Sequence, residues 1–189
     1  MYVDWHRQEI IFKIIYYGPG LGGKTTNLEY LYRQLDPSIR GELITLKTRE
    51  ERTLFFDFME LDMGRINGKK PRFQLYTIPG QALYQHSRRI LLRGADAVVF
   101  VADSQASRLA DNLNTLVDLE EKLISLRRTL ARFPWVLQYN KRDLPDIVSI
   151  DRLQQSLNFL QVPAYQAVAS RGVGVIETLK GVINLLLQA

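Results

Sequence analysis

The chain has 189 residues, 46% of them hydrophobic, and its 25 basic and 20 acidic residues give a formal net charge of +5 at pH 7. A chain of this length builds one well-buried core but is too short for two domains of ordinary size, so we expect a single domain over residues 1–189. The absence of cysteine excludes disulfides and thiolate metal sites and favours a reducing compartment.

Two features of the sequence argue against a membrane span and a nucleic-acid site. The longest uninterrupted apolar run, residues 97–102, is far shorter than the roughly 20 residues that cross a bilayer. Residues 1–7 show neither a secretory signal nor a myristoylation glycine, so we expect a cytoplasmic protein without a stable membrane anchor. The basic residues are scattered and accompany no nucleic-acid-binding motif, which favours a solvated basic surface and no nucleic-acid partner.

A glycine-rich loop between an apolar strand and an amphipathic helix is the strongest early signal. Residues 18–25 fit the pattern G-x-x-x-x-G-K-[ST], in which backbone N–H groups and a helix N-terminus bind a polyphosphate. Lys24 is expected to reach the outer phosphates, and the Thr25 hydroxyl to bind Mg²⁺. The alternative, a glycine-rich turn that only ends a strand, is disfavoured by the flanking elements. The predicted phosphate-binding residues are Gly18, Gly20, Leu21, Gly22, Gly23, Lys24, Thr25 and Thr26.

The following segment predicts a long loop and then a hairpin. Residues 36–51 are polar, contain proline and glycine, and show weak periodicity, which is typical of a functional loop. Residues 52–63 and 73–78 predict two strands, and Ile-Asn-Gly-Lys at 66–69 predicts a tight turn between them. The two strands would be antiparallel, with the first at the edge of an otherwise parallel sheet.

Apolar side chains occupy both faces of the first hairpin strand over residues 54–61. One face can join the core. The other can either receive a partner protein or be covered by a helix of the same chain, and the sequence leaves both alternatives open.

The second hairpin strand ends at Thr77, in a turn that continues to Gln81. Because ligands collect at the carboxyl ends of parallel strands, we expect this turn beside the phosphates. Gly80 would then contact the ligand, and Gln81 would orient a water molecule. His86 is expected to be an exposed loop residue rather than a catalytic base.

A second binding signal follows the buried strand at 135–139, where residues 140–143 read N-K-R-D. The Asp143 carboxylate can accept hydrogen bonds from both the ring N–H and the exocyclic amine of guanine. Adenine lacks this pair of donors and would leave the carboxylate unpaired, which discriminates by orders of magnitude.

Other residues complete the predicted base site. Asn140 is expected to bond to the base edge and brace the loop, and Lys141 to lay its aliphatic stem along the base. A further strand at 162–168 ends before Ala169 and Ser170, whose backbone N–H groups could meet the guanine carbonyl.

Strand-like and helical patterns alternate along the whole chain. The continuous apolar run at 95–102 predicts a central strand, and residues 109–124 and 175–187 predict amphipathic helices. The alternation predicts an α/β P-loop NTPase fold with a mixed six-stranded sheet, one antiparallel edge strand and helices on both faces.

Taken together, these motifs resemble the Ras superfamily of small GTPases, in which they occur in the same order. More narrowly, Y-Y-G-P-G-L-x-G-K-T-T-N-L, E-R-T-L-F-F-D-F, T-x-P-G-Q, V-F-V-A-D-S and N-K-R-D-L-P resemble the MglA-type bacterial GTPases of gliding motility and cell polarity. The resemblance covers nearly the whole chain.

The resemblance implies a Mg²⁺-dependent switch between GTP and GDP, with downstream effectors and a homodimeric roadblock-fold activating protein of the MglB kind. By position, Arg52 matches an arginine finger built into the family, Thr53 a switch threonine at the metal, and Gln81 the water-positioning glutamine. Without the resemblance, Arg52 would be interpreted as a surface arginine. One departure is Thr77, which stands where other Ras proteins carry an aspartate that holds Mg²⁺ through water.

We therefore expect a GTPase that hydrolyses GTP to GDP and controls polarity or motility. One alternative is an interaction module that binds GTP without hydrolysing it, which nucleotide turnover would distinguish. The other is a P-loop kinase or ATPase, which is disfavoured because Asp143 selects guanine and no lid for an acceptor substrate is visible.

The base assignment predicts that Asp143→Asn weakens GTP binding and favours xanthine nucleotides, because the extra carbonyl of xanthine can accept from the new amide. Titration of the variant and the unaltered protein with fluorescent GTP, ATP and xanthosine triphosphate measures this preference. Equal affinity of the unaltered protein for ATP and GTP would contradict the assignment.

Overall fold

The computed structural model describes residues 2–4, 9–47, 53–65, 70–78 and 85–188. Within these ranges the chain forms an eight-stranded sheet and α-helices on both of its faces. The strands are β1 (Tyr2–Asp4), β2 (Glu9–Tyr17), β3 (Ile44–Lys47), β4 (Thr53–Asp62), β5 (Lys70–Thr77), β6 (Ala97–Asp103), β7 (Trp135–Asn140) and β8 (Ala164–Gln166). The helices are α1 (Lys24–Gln34), α2 (Gln85–Leu92), α3 (Leu109–Ser125), α4 (Ile150–Leu157) and α5 (Val175–Gln188). None of the helices described is long and apolar enough to cross a lipid bilayer.

The sheet runs in the order β3-β4-β5-β2-β6-β7-β8, and β1 pairs with β2 beside this path. β2 lies at the centre, parallel to both β5 and β6, and the parallel pairing continues through β7 to β8. The carboxyl ends of these five strands therefore meet at one edge of the sheet, where a ligand site is expected in such folds.

Alternate residues of the central strands face two separate apolar layers. Ile14 and Tyr16 of β2 pack in the layer that contains α1 and α5, whereas Ile15 and Tyr17 pack in the layer that contains α3 and α4. All four side chains are buried. Burying such a side chain stabilises the fold by about 1.5–3 kcal/mol, so the two layers hold the sheet rigidly between the helices. The predicted α/β fold is confirmed.

The sheet has two more strands than the six that the sequence predicts. β1 runs antiparallel to β2, and β3 runs antiparallel to β4. β3 lies within residues 36–51, where the sequence predicts only a loop, and it takes the edge position that the sequence assigns to β4. Both extra strands are too short to show an alternating pattern, and they are formed by pairing with distant residues.

Smaller differences concern the ends of elements. β8 has three residues, whereas the sequence predicts a strand over 162–168, and His86 lies in α2 rather than in a loop. The predicted turn at 66–69 is outside the described residues. The antiparallel pairing of β4 with β5 is confirmed, with Met59 opposite Leu75.

Buried amides fix α1 on the sheet. Asn27 of α1 and Gln138 of β7 exchange two hydrogen bonds, of 2.8 and 2.9 Å, and Gln138 Nε2 donates another to Thr178 Oγ1 of α5 at 3.0 Å. All three side chains are fully buried. Since an unpaired buried amide costs about 1–3 kcal/mol, these bonds hold α1 in one position relative to β7, and with it the loop that precedes Lys24.

Candidate functional site

The loop between β2 and α1 packs closely against residues of the neighbouring strands β6 and β7. Gly18 has a φ of 142° and Gly23 a φ of 100°. A Cβ on Gly18 would lie 2.2 Å from Val101 O, and a Cβ on Gly23 would lie 2.2 Å from Asn140 Nδ2. Glycine is required at both positions, because any other residue would be strained and would clash.

Helix α1 presents an uncapped N-terminus to this loop. The helix begins at Lys24, its N-cap residue Gly23 makes no side-chain cap, and no acidic residue lies in its first turn. The N–H groups of the first turn and the positive end of the helix dipole are therefore available to an anion. This arrangement suits a phosphate group.

Lys24 is buried against the same loop. Its ammonium donates hydrogen bonds to Gly18 O at 3.0 Å and to Pro19 O at 2.7 Å. Burial is the main cause that lowers the pKa of Lys24 to about 7; the positive charge of Arg88 acts in the same direction, and the Asp57 carboxylate opposes it. A phosphate at this point would supply the negative charge that the buried ammonium lacks.

Thr25, in the first turn of α1, contacts a carboxylate on a distant strand. Its hydroxyl donates to Asp57 Oδ2 of β4 at 2.6 Å. Thr77 of β5 donates to the same oxygen at 2.7 Å and accepts from the Asp57 N–H at 2.8 Å. Asp57 is fully buried, so the site contains a carboxylate that lies beside the predicted metal-binding hydroxyl.

Asn140, at the end of β7, joins the two predicted halves of the site. Its Nδ2 donates to Gly22 O at 2.9 Å, and its Oδ1 accepts from the Ala169 N–H at 2.9 Å. The bracing role that the sequence predicts is thus present. The Ala169 N–H is engaged within the protein, so of the two backbone N–H groups expected to meet a base carbonyl, that of Ser170 is the better candidate.

A buried carboxylate positions Lys141. Asp103 Oδ2 lies 2.6 Å from Lys141 Nζ, and Asp103 is only 1% exposed. On the other side of Asp103, Arg108 Nε lies 3.9 Å from the same oxygen, and Arg108 Nη2 donates to Gly20 O at 2.7 Å. This chain of contacts connects the phosphate loop with the N-K-R-D loop.

Asp143 remains accessible to a ligand. Its side chain is 22% exposed. Among the described residues it pairs with Arg171, whose Nη2 lies 3.6 Å from Oδ2 and whose side chain is 71% exposed. Such an exposed pair is weak and screened by solvent, so a base could replace it at little cost.

The described structure therefore brings the predicted phosphate loop and base loop to one edge of the sheet. The structure does not describe the side chains of the other predicted site residues. Arg52, Gly80 and Gln81 lie outside the described residues, and for Thr53 only the backbone position at the start of β4 is described.

Sequence reasoning missed the two buried carboxylates of the site. Asp57 could have been noticed as a single acidic residue in an otherwise apolar stretch of β4, and Asp103 as the charged residue that ends a wholly buried strand. Arg88 also departs from the expected solvated basic surface: it is buried, and its Nη1 lies 2.7 Å from Asp118 Oδ2.

Comparison with known proteins finds similarity to a family model and to several individual proteins. A family model described as the ADP-ribosylation factor family matches residues 5–183. The chain is 50% identical to mutual gliding-motility protein MglA of Myxococcus xanthus, over 98% of this chain and 95% of that protein. It is also 23% identical to the Ypt/Rab-type GTPase Rab7 of Neurospora crassa, over 96% of this chain and 85% of that protein. Its identity to the Ras-related protein Rab7 of Drosophila melanogaster is 28%, over 89% of this chain and 77% of that protein.

The fit of Gly23 against Asn140 can be tested with a matched pair of substitutions. Gly64 also has a positive φ, 72°, but a Cβ there would meet no atom of the described residues within 4 Å. We expect Gly64→Ala to lower the free energy of unfolding by about 1 kcal/mol, from backbone strain alone. Gly23→Ala should cost about 3 kcal/mol and weaken guanine nucleotide binding at least about tenfold, because the clash displaces Asn140. Urea unfolding and nucleotide titration measure the two effects, and equal losses in both variants would contradict the proposed fit.

Proposed function

Because this chain belongs to the MglA-type small GTPases of the Ras superfamily, we propose that it controls cell polarity or gliding motility from the cytoplasm. Family membership makes it a GTP-binding switch that hydrolyses GTP to GDP and phosphate. The name of the Myxococcus relative, a mutual gliding-motility protein, supports the proposed cellular role. The observation that supports nucleotide binding is the Asn140 side chain, which joins Gly22 of the predicted phosphate loop to Ala169 of the predicted base site. We propose that residues 1–189 form one such domain.

The phosphates would lie over the first turn of α1. Gly18 and Gly20–Thr26 would surround them with backbone N–H groups, and Lys24 would exchange its bonds to the loop carbonyls for bonds to phosphate oxygens. This exchange is favourable because the present partners of the ammonium are neutral carbonyls.

The base would lie between the N-K-R-D loop and the turn after β8. Asp143 would accept from the two guanine donors, and Ser170 would donate to the guanine carbonyl. Lys141 would cover the base, since its ammonium is already fixed by Asp103 and its stem can pack along a ring. Asn140 would hold the two loops at the correct separation.

The residues present fit a magnesium ion. Mg²⁺ takes hard oxygen ligands and usually combines one or two protein groups with phosphates and waters. The Thr25 hydroxyl donates to Asp57 Oδ2, and the second oxygen of this carboxylate, Oδ1, is buried and has no partner among the described residues. Thr25 and Thr53 would hold the ion. When bound, it would neutralise negative charge on the outer phosphates.

Hydrolysis would depend on two residues outside the described part of the chain. Gln81 would orient the attacking water, and Arg52 would place its guanidinium against the charge that develops on the phosphoryl oxygens. Such an arginine is worth roughly 10³–10⁵ in rate in GTPases. The alternative of a module that binds GTP without hydrolysing it is not favoured, because the family consists of GTPases.

We expect Arg52→Ala and Gln81→Leu each to keep near-normal GTP affinity and to lose most of the single-turnover hydrolysis, about 10³-fold or more, even with an activating partner present. Rapid-quench measurement of GTP cleavage, with a separate titration of GTP affinity, tests both. If Arg52→Ala cleaves GTP at the unaltered rate, the guanidinium must come from the partner or have no role.

The activating partner would be a roadblock-fold homodimer that binds the outer face of β4. Phe56 and Phe58 of β4 are half-buried, and their rings contact Tyr76 of β5 at centroid distances of 5.8 and 4.8 Å. The helices that the structure describes therefore leave this aromatic face partly exposed. Partly exposed aromatic residues are favoured at protein interfaces, which supports the first of the two alternatives that the sequence leaves open.

The aromatic face predicts that Phe58→Ala weakens binding to the roadblock-fold partner about tenfold or more and leaves GTP affinity unchanged, since truncating a central aromatic residue removes much of the interface energy. Phe159→Ala is the matched control, because Phe159 is 62% exposed and follows α4 at the other end of the sheet. Calorimetric titration with the partner measures both, and equal affinities of the two variants would exclude this face.

A further inference from the structure

A basic cavity lies at the edge of the sheet that is opposite the predicted nucleotide site. It has a volume of about 650 Å³ and is lined by Asp96 and by residues 127–129 and 132–134. Asp96 immediately precedes β6 and Pro134 immediately precedes β7, so the cavity lies at the amino ends of these parallel strands. The seven residues of β6 separate it from the carboxyl edge by about 20 Å. We call this separate site the arginine pocket, after its three basic residues, Arg127, Arg128 and Arg132.

The positive charge of the arginine pocket is poorly compensated. All three arginines are exposed, and the side chains of Arg127 and Arg132 form no ion pair with the residues that the structure describes. Of the described residues that line the cavity, only Asp96 is acidic. Its Oδ2 accepts from the backbone N–H of Lys13 at 2.9 Å, and it also interacts with the charge of that lysine. A concave site lined by charges of one sign concentrates ions of the opposite sign, so the arginine pocket attracts anions.

The backbone keeps Arg127 at a cost. α3 ends in a turn in which the Arg127 N–H donates to Ile124 O and the Arg128 N–H donates to Leu123 O, both at 2.9 Å. This turn requires a left-handed residue at 127, where φ is 60°, and glycine is the usual choice because other residues are strained there. A basic residue offsets the dipole at the end of a helix, but Lys122 and Arg128 do so without this strain. The guanidinium of Arg127 therefore needs a further reason to be present.

Arg128 is already held in position in the arginine pocket. Its Nη1 donates to the backbone carbonyl of Ala95, and its guanidinium carbon lies 5.4 Å from the centre of the Phe133 ring. Phe133 is buried in the apolar layer that contains α3 and α4, so the ring is a firm support. A guanidinium that is held through one nitrogen still has other N–H groups for a ligand. Arg127 and Arg132 add two further guanidinium groups to the lining of the same cavity.

The geometry points to the arginine pocket as a binding site for a phosphate ester, separate from the proposed nucleotide site. A carboxylate has two oxygens in one plane, and a single guanidinium fork satisfies them. A dianionic phosphate group has three terminal oxygens, which accept from several directions. Three arginines around one cavity therefore fit phosphate better than carboxylate.

The size of the cavity is that of a site for a small organic molecule. The phosphate ester is supplied either by a soluble metabolite or by the head group of a phospholipid, and both present the same group to the arginines.

The test uses the full chain with excess GDP and Mg²⁺, so that the predicted phosphate loop is occupied. Backbone amide NMR signals of residues 127–133 are followed during titration with glycerol phosphate and, separately, with succinate, a dicarboxylate of equal charge. Sedimentation with phosphatidylcholine vesicles, with and without phosphatidic acid, tests the lipid source. Because the signals locate the bound probe on the chain, the result does not depend on the proposed GTPase function.

Arg127→Gly removes one guanidinium and also relieves the left-handed strain. We expect this variant to unfold at no lower urea concentration than the unaltered protein, while its affinity for glycerol phosphate falls about tenfold. Arg132→Gln should weaken binding in the same direction. Arg152→Gln is the matched control, since it removes an exposed arginine from the first turn of α4, and it should keep the affinity of the unaltered protein.

Saturable shifts at residues 127–133 with glycerol phosphate, weakened in Arg127→Gly but not in Arg152→Gln, support the inference. Sedimentation with phosphatidic acid that Arg127→Gly abolishes assigns the ligand to a lipid, and no sedimentation assigns it to a soluble phosphate. The inference is overturned if neither probe of phosphate binds at these residues. Equal losses in Arg127→Gly and Arg152→Gln also overturn it, because they mean general attraction to a positive surface. Succinate that binds as tightly as glycerol phosphate overturns the choice of phosphate and assigns the cavity to acidic peptides.

Discussion

The Asn140 side chain is the contact on which the rest of the site depends. Through one amide it joins Gly22 of the phosphate loop to Ala169 in the turn after β8, and its backbone carbonyl accepts from the Ser104 N–H at the end of β6. Loops from four parallel strands are therefore held at fixed distances by hydrogen bonds to a single residue. The contact is possible because parallel pairing brings all these strand ends to one edge of the sheet, and because Gly23 has no side chain to obstruct it.

Buried charge is concentrated at the same edge. Lys24, Asp57 and Asp103 are almost fully buried, and each contacts a loop or hydroxyl that a nucleotide or its cation would also contact. Burying a charge without full compensation is costly, and proteins accept that cost mainly at functional sites. A ligand that carries both phosphates and a divalent cation would complete the partners of Lys24 and Asp57 together. These buried charges are the groups that the proposed nucleotide and its cation would meet.

Strand β4 connects this edge with the outer surface. Successive residues of a strand point to opposite faces, so Asp57 points toward Thr25 while Phe56 and Phe58 point toward Tyr76. The position of β4 is fixed on both sides by β3 and β5. A change in the position of this strand would alter the carboxylate and the aromatic face together, because they are adjacent along one backbone.

Local patterns in the sequence were enough to identify the phosphate loop, the N-K-R-D loop, the order of the main strands and helices, and the α/β class, since each depends on residue types at short and regular spacing. They did not indicate β1 or β3, which form only by pairing with distant strands, or the edge position that β3 takes from β4. They also did not reveal that Asp57 meets Thr25, or that Asp103 holds Lys141, because these partners are 32 and 38 residues apart. The sequence by itself determined which chemical groups this protein has for a guanine nucleotide. Only the tertiary structure decided which buried carboxylate lies beside the hydroxyl that is predicted to bind a metal, because that depends on how β4 lies against β5 and α1.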